Sequence, residues 1–292
     1  MKLFPVLLMA VLVGILGAVA PAQGQIINEF EEGQQDNHWQ TAENWSRNHP
    51  PLDTERAVIP EEEDCLIYSD GSDAVAESFQ VCGTLTIGAG RSLTITESST
   101  VGGELNILAA GTNLGELVIS GADVEIGGGC GPEGRGYIVM QGGTITGGED
   151  DHLTLWNGPH MNHLTLWGYG RIEVRLTNNI WIYADTSGET LYLSDYPKEG
   201  GSAVNTQWYV GQGRLQVDTE VSGSGKWSVY ASGEIVINDE CCVSGDVVVG
   251  TYSSFIVNDS FCTTGDLHWF LSTIRVKKGK TAAFGGECPG CS

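Results

Sequence analysis

The residues best suited to chemistry lie near the middle of the chain. Glu149, Asp150, Asp151 and His152 are consecutive, His160 and His163 follow, and Arg171 and Arg175 come next. Adjacent carboxylates beside histidine and arginine can supply a general acid and base, or oxygen ligands for a calcium ion. On that basis Asp150, Asp151 and Arg171 are the candidate catalytic residues, and Glu149, Asp150 and Asp151 are the candidate Ca²⁺ ligands. The same run also reads as a solvated acidic turn before Leu153-Thr-Leu155. A second candidate is aromatic. Trp156 and Trp167 each end a Leu-Thr-Leu-Trp run, which suggests a shared orientation and a surface on which sugar rings can stack. Trp181, Trp208, Trp227 and Trp269 also sit in or beside short apolar runs, so a longer strip is conceivable on the same grounds.

Other chemistries find less support. His160 and His163 are too few for a zinc site without nearby cysteine or a further histidine. Cys288 and Cys291 form a lone C-x-x-C outside any βαβ pattern, weak grounds for redox chemistry. Gly127-Gly-Gly-Cys-Gly131 lacks the aspartate of a calcium-binding nonapeptide repeat.

Any such side chains need a scaffold, and the scaffold is written as a repeat. Short alternating runs recur, among them Leu85-Thr-Ile87, Leu93-Thr-Ile95, Leu117-Val-Ile119, Trp181-Ile-Tyr183 and Leu191-Tyr-Leu193. Alternation puts every second side chain on one face of a strand. Gly225, Gly245 and Gly265 are spaced by twenty, as are Leu215-Gln-Val217, Ile235-Val-Ile237 and Phe255-Ile-Val257. Asp218, Asn238 and Asn258 follow those strands in register. A sandwich does not require columns to recur at a fixed interval, whereas a solenoid does, because residue i lies against residue i+20. The expected fold is all-β: a single-stranded parallel β-helix of about ten rungs of roughly twenty residues, each showing two recognisable strands. Rungs about 4.8 Å apart make a rod roughly 50 Å long.

Composition sets limits on compartment and partner. The chain has 292 residues, with 14 basic against 37 acidic residues and a net charge of −23. That balance disfavours nucleic acid, whose phosphates need a basic surface, and an anionic membrane for the same reason. Lys2, the apolar run to Ala20 and the Ala22-Gln-Gly24 exit have the form of a secretory signal peptide over residues 1–24. No later segment is apolar enough to span a bilayer. The expected organisation is then an N-terminal cap over 25–82, the solenoid over 83–284 and a Cys-containing tail over 285–292. Eight cysteines in an exported chain suggest disulfides. Cys242 and Cys262 are one period apart, within disulfide reach on adjacent rungs. Cys65 and Cys82 flank the junction of cap and coil and are expected to close it.

Within the cap, Trp39-Gln-Thr-Ala-Glu-Asn44-Trp45-Ser46 leads to Pro50-Pro51-Leu-Asp53 and Ala57-Val-Ile-Pro60. This W…NWS…P…D…V-x-I-P pattern resembles the opening of secreted bacterial β-helix proteins with autotransporter-type repeats. The resemblance covers about twenty residues of motif and the Gly-rich strand repeat that follows, and it implies a large extracellular protein. The residues themselves read as an end plug of tryptophan, with prolines blocking edge pairing. Two functions are expected to compete: an extracellular structural, adhesive or surface-interaction solenoid, and a carbohydrate-active β-helix that cleaves or binds polysaccharide. The expected partners are extracellular polysaccharide or other surface proteins.

Overall fold

The computed structural model describes residues 25–31, 36–68, 72–101, 103–110, 113–114, 116–120, 123–130, 135–157, 164–201 and 206–286. The repeat folds as a parallel β-helix. One sheet of twelve strands runs the length of the coil, from Ile26–Glu29 through Glu55–Ile59, Cys241–Val243 and Phe261–Thr263 to Ala282–Phe284. Two further ladders rise beside it, one from Asp64–Ile67 to Leu267–Trp269, the other from Ala74–Ala76 to Thr273–Val276. Each complete rung therefore has three strands, such as Cys241–Val243, Val247–Val249 and Ser254–Val257. In these even rungs the strand missed by the two-strand reading is the one in the twelve-stranded sheet, such as Cys241–Val243.

The spacing of twenty is a register. Val221 pairs with Cys241 and Cys241 with Phe261, while Trp227 pairs with Val247 and Ile237 with Val257. The glycine column has a steric cause: a Cβ on Gly245 would lie 1.6 Å from the Gly225 carbonyl oxygen, so neighbouring rungs touch there through backbone alone. At the adjoining corner Asn238 donates to Asp218 at 2.6 Å and Asn258 to Asn238 at 2.8 Å, a ladder of side-chain hydrogen bonds along the axis.

Earlier rungs are less even. Gln80 stacks on Thr100, but Thr100 stacks on Gly127 and Asp123 on His152, so these turns are longer. Two long strands, Gly136–Gly147 and Leu164–Glu173, carry two faces of the coil without a break and bend at a corner where the register shifts between Gln141 and Thr144. Gly168 (φ 123°) and Gly170 (φ 136°) make that bend; a Cβ on Gly168 would lie 1.9 Å from the Met140 carbonyl oxygen.

Inward positions form continuous apolar columns. Leu105, Ile138, Leu166, Ile182, Trp208, Trp227 and Val247 stack in sequence, and all are buried. Each such side chain contributes roughly 1.5–3 kcal/mol by leaving water. Phe30, Trp39 and Trp45 close the N-terminal end, with Trp45 Nε1 donating to the Trp39 carbonyl at 2.7 Å and the two indoles 4.8 Å apart. The buried Glu55 carboxylate fixes this end by accepting from Asn28 at 3.2 Å and pairing with Arg47 at 3.0 Å. The ladders already begin at Ile26 and Glu55, so part of the segment expected to be cap is coil.

One inward column carries a charge. Lys198 stands between Leu176 and Val221 and is fully buried. Its Nζ donates to the Ser194 carbonyl at 2.8 Å and to the Tyr196 carbonyl. Burial lowers its pKa to about 7, against the opposing pull of Asp195 and Glu173.

The cysteines divide by the direction they face. Cys82 is bonded to Cys130 across 48 residues, with Cα atoms 5.4 Å apart. The expected Cys65–Cys82 bridge is therefore incorrect. Cys65 occupies an inward position paired with Leu85, is a free thiol, and cannot meet a partner at the corner. Cys130 reaches Cys82 because the chain after Asp123–Gly128 returns at that corner, two ladder steps from Val81. Cys242 stands opposite Cys262 in register, as the period requires. Their neighbour Cys241 faces inward as a free thiol, and burial raises its pKa. The signal-like segment, His160, His163, Cys288 and Cys291 lie outside the described residues. Among those residues, no helix is long and apolar enough to cross a membrane.

Candidate functional site: an aromatic groove on the coil

The outward positions of the second ladder build a concave surface. Alternation along Gly136–Gly147, Leu164–Glu173 and Trp181–Ala184 turns Ile138, Leu166 and Ile182 inward and their neighbours outward. Two outer columns result. One runs Tyr137, Thr165, Trp181; the other, two residues along, runs Val139, Trp167, Tyr183, Tyr209. Trp167, Trp181 and Tyr137 are 47 %, 43 % and 38 % exposed. They and Tyr183 line a groove of about 470 Å³, whose polar wall is Arg135 and Asp185.

The rings support one another. Trp181 and Tyr183 meet edge to face at 6.2 Å, Tyr183 and Tyr209 are 5.0 Å apart, and Tyr209 stacks on Tyr230 at 5.7 Å. The phenol of Tyr183 titrates above its ordinary value because of partial burial and the neighbouring Tyr209. That of Tyr209 is raised by burial, by Asp185 and by Tyr230. Both hydroxyls stay protonated at neutral pH and can donate hydrogen bonds. Asp185 is held in place by accepting from the Gln212 backbone N–H at 2.9 Å. Arg135 and Tyr137 also line a smaller recess of about 330 Å³ against Glu62, Glu63, Asp64 and Glu104, so the groove continues along the axis toward the Cys82–Cys130 bridge.

The residues singled out by sequence separate. Trp167 lies in the groove. Trp156 does not: its strand, His152–Trp156, belongs to the twelve-stranded sheet, and its ring covers Gly127 of the preceding rung. The two Leu-Thr-Leu-Trp runs are half a rung apart, which places them on different faces and corrects the shared orientation. Trp208 and Trp227 are buried and stacked at 5.4 Å. Trp269 is exposed on the last rung.

The acidic turn does not assemble with Arg171. Asp151 accepts from the Gly148 N–H at 2.7 Å and so closes its own turn. Arg171 pairs with Glu173 at 2.9 Å and lies 4.9 Å over the Tyr192 ring, on the third ladder. Glu149 and Asp150 sit in the turn before His152–Trp156 and are exposed. Among the described residues, no group of three or more His, Cys, Asp or Glu side chains is arranged to hold a metal ion.

Arg135, Tyr137, Tyr183 and Asp185 are the groove residues that sequence reasoning missed, with Tyr209 supporting Tyr183 from the next rung. Trp181-Ile-Tyr183 and Gln207-Trp-Tyr209 carried the alternation that turns them outward. What was hidden is the pairing of Trp181 with Thr165 and Gln207, because neither step is a twenty-residue period. Flat rings in a shallow groove, edged by a cation, a carboxylate and phenol donors, suit a ligand with apolar faces and hydroxyl edges. Compared with known proteins, the chain matches no protein-family model, no curated protein and no solved structure.

Proposed function

We propose that this chain is an extracellular β-solenoid that holds a polysaccharide along the groove of Tyr137, Trp167, Trp181 and Tyr183, in a surface-interaction role without bond cleavage. The observation that carries the reading is three large rings held open to solvent on adjacent rungs, where an alternating strand otherwise places small or polar groups. The export expected from residues 1–24 supplies the compartment. Charge narrows the ligand: a chain of net −23, with Glu62, Glu63, Asp64 and Glu104 at one end of the groove, repels polyuronates and favours neutral glycans.

Affinity electrophoresis in gels containing neutral polysaccharides tests this. Retardation is expected for the parent chain, and the double substitution Trp167→Ala/Trp181→Ala should weaken it about tenfold or more, because central rings dominate such contacts. Equal mobility of parent and variant in every glycan gel refutes the reading. A hydrolytic alternative rests on the carboxylates adjoining the groove, since glycosidases need a carboxyl pair across the bond. Release of reducing ends, lost in Glu104→Gln, favours it over simple binding.

A further inference from the structure

The two ends of the coil are built differently. At the N-terminal end the apolar core is closed by Phe30, Trp39 and Trp45, and the outer edge of Ile26–Glu29 is covered where Ser46 donates to the Glu29 carbonyl and Glu31 to the Asn44 carbonyl. The last rung has no such cover among the described residues. Its inward positions Leu267, Ile274, Ala282 and Phe284 are only partly buried, and Val276 is 39 % exposed. At one corner of this rung Trp269, Phe270 and Leu271 are 63 %, 67 % and 66 % exposed. Tyr252, one rung back, donates its N–H to the Leu271 carbonyl at 2.8 Å and is itself 78 % exposed. Leu271 adopts a φ of 47°, unusual for a bulky side chain, so the backbone itself holds this apolar tip outward.

Charge changes sign at the same place. From Leu267 to Gly286 the chain has four basic residues, Arg275, Lys277, Lys278 and Lys280, and no acidic one, although acidic residues outnumber basic ones 37 to 14 overall. Lys280 is paired with Asp259 at 2.8 Å. Arg275, Lys277 and Lys278 are exposed and make no ion pair within 4 Å among the described residues, and the charge of Lys277 also acts on Asp259. Exposed aromatic and aliphatic tips beside unpaired cations are the chemistry of a bilayer interface, where rings settle among headgroups and lysine or arginine meets phosphate.

We propose that the C-terminal end of the solenoid docks end-on against an anionic lipid bilayer, with Trp269, Phe270, Leu271 and Tyr252 entering the interface and Arg275, Lys277 and Lys278 facing the phosphates. The net negative charge of the chain does not oppose this geometry. Rungs are about 4.8 Å apart, so beyond two rungs the acidic body stands about a Debye length or more from the surface and is largely screened. Docking by a second copy is disfavoured on the same observations. End-to-end contact of two such rungs brings like cations together, and the opposite end of the rod is already closed.

Co-sedimentation of the purified secreted chain with vesicles of phosphatidylcholine, and of phosphatidylcholine with an equal part of phosphatidylglycerol, tests the proposal. Binding to the anionic vesicles is expected to exceed binding to the neutral ones about tenfold or more and to fall with added salt. Lys277→Gln/Lys278→Gln should remove most of that preference. Trp269→Ser/Phe270→Ser/Leu271→Ser should abolish binding to both vesicles while leaving the far-ultraviolet circular dichroism unchanged. Tryptophan quenching by brominated lipid needs no variant and should be seen in the parent chain. The proposal is overturned if the chain stays in the supernatant with both vesicles, or if brominated lipid quenches nothing. It is equally overturned if the chain self-associates without lipid and the triple substitution restores a monomer, which assigns this end to a second copy.

Discussion

Replacing Lys198 by methionine is expected to stabilise the coil at neutral and acid pH and to do the opposite in alkali. The ammonium of Lys198 occupies an inward column position between Leu176 and Val221 with no exposure. Its pKa falls from 10.5 to about 7, chiefly through burial. The unfolded chain binds this proton across that window and the folded chain does not, so stability rises as pH climbs from about 7 toward 10.5. Below about 7 both states are protonated and the full cost of the buried charge is present. At about 1.4 kcal/mol per pH unit, the lowering corresponds to roughly 5 kcal/mol as an upper bound. Methionine is unbranched and fits the same channel, but it gives up the hydrogen bonds to the Ser194 and Tyr196 carbonyls, about 1–3 kcal/mol together. The net gain at pH 6 is then at most about 2–4 kcal/mol, turning to a loss of about 1–3 kcal/mol near pH 10.5. Guanidinium denaturation of both proteins at pH 6, 8 and 10 reads the difference directly, and other titrations cancel between them. A difference that is constant with pH refutes the assignment of the cost to this ammonium.

Three further outcomes follow from packing and register. Peptide mapping without reduction should recover Cys82 linked to Cys130; a Cys65–Cys82 peptide contradicts the inward position of Cys65. Cys65 and Cys241, both buried thiols with raised pKa, should resist alkylation until the chain is denatured, and rapid labelling of either in the native protein counts against their burial. Gly245→Ala places a methyl 1.6 Å from the Gly225 carbonyl, so rungs must separate; a loss of about 2–4 kcal/mol is expected, and a change below about 0.5 kcal/mol counts against backbone contact at that corner.

Sequence reveals this fold where the columns are strict. Asp218, Asn238 and Asn258 repeat at twenty because each side chain bonds the next, and Gly225, Gly245 and Gly265 repeat because no Cβ fits. Both constraints act on one residue type at one position, so they survive in composition and spacing. The third strand of the even rungs was missed because Val221-Ser-Gly223 and Cys241-Cys-Val243 carry small or polar residues where an apolar run is sought. The acidic run Glu149–Asp151 looked like a site because adjacent carboxylates were weighed without their backbone. In the fold Asp151 is spent on Gly148, and Arg171 is turned to another face. Trp156 and Trp167 share a tetrapeptide but not a face, since orientation in a solenoid depends on position around the rung as well as on local alternation.

The groove lies where the period fails, and there is a physical reason. In a strict column each residue must tolerate copies of itself above and below, which selects side chains that stack quietly: valine and isoleucine inside, asparagine at the corner. A large outward ring stays open to solvent where a smaller residue stands beside it on an adjacent rung. The long strands Gly136–Gly147 and Leu164–Glu173 break the spacing, so Trp181 pairs with Thr165 on one side and Gln207 on the other, and Trp167 pairs with Val139. A small residue next to each indole leaves the ring partly uncovered and opens the recess between Tyr137 and Tyr183. Because each rung contacts only its neighbours, this irregular segment is carried without disturbing the even coil from Gln207 to Thr263. Regular rungs thus hold the rod together, and the departure from regularity is what opens the groove between them.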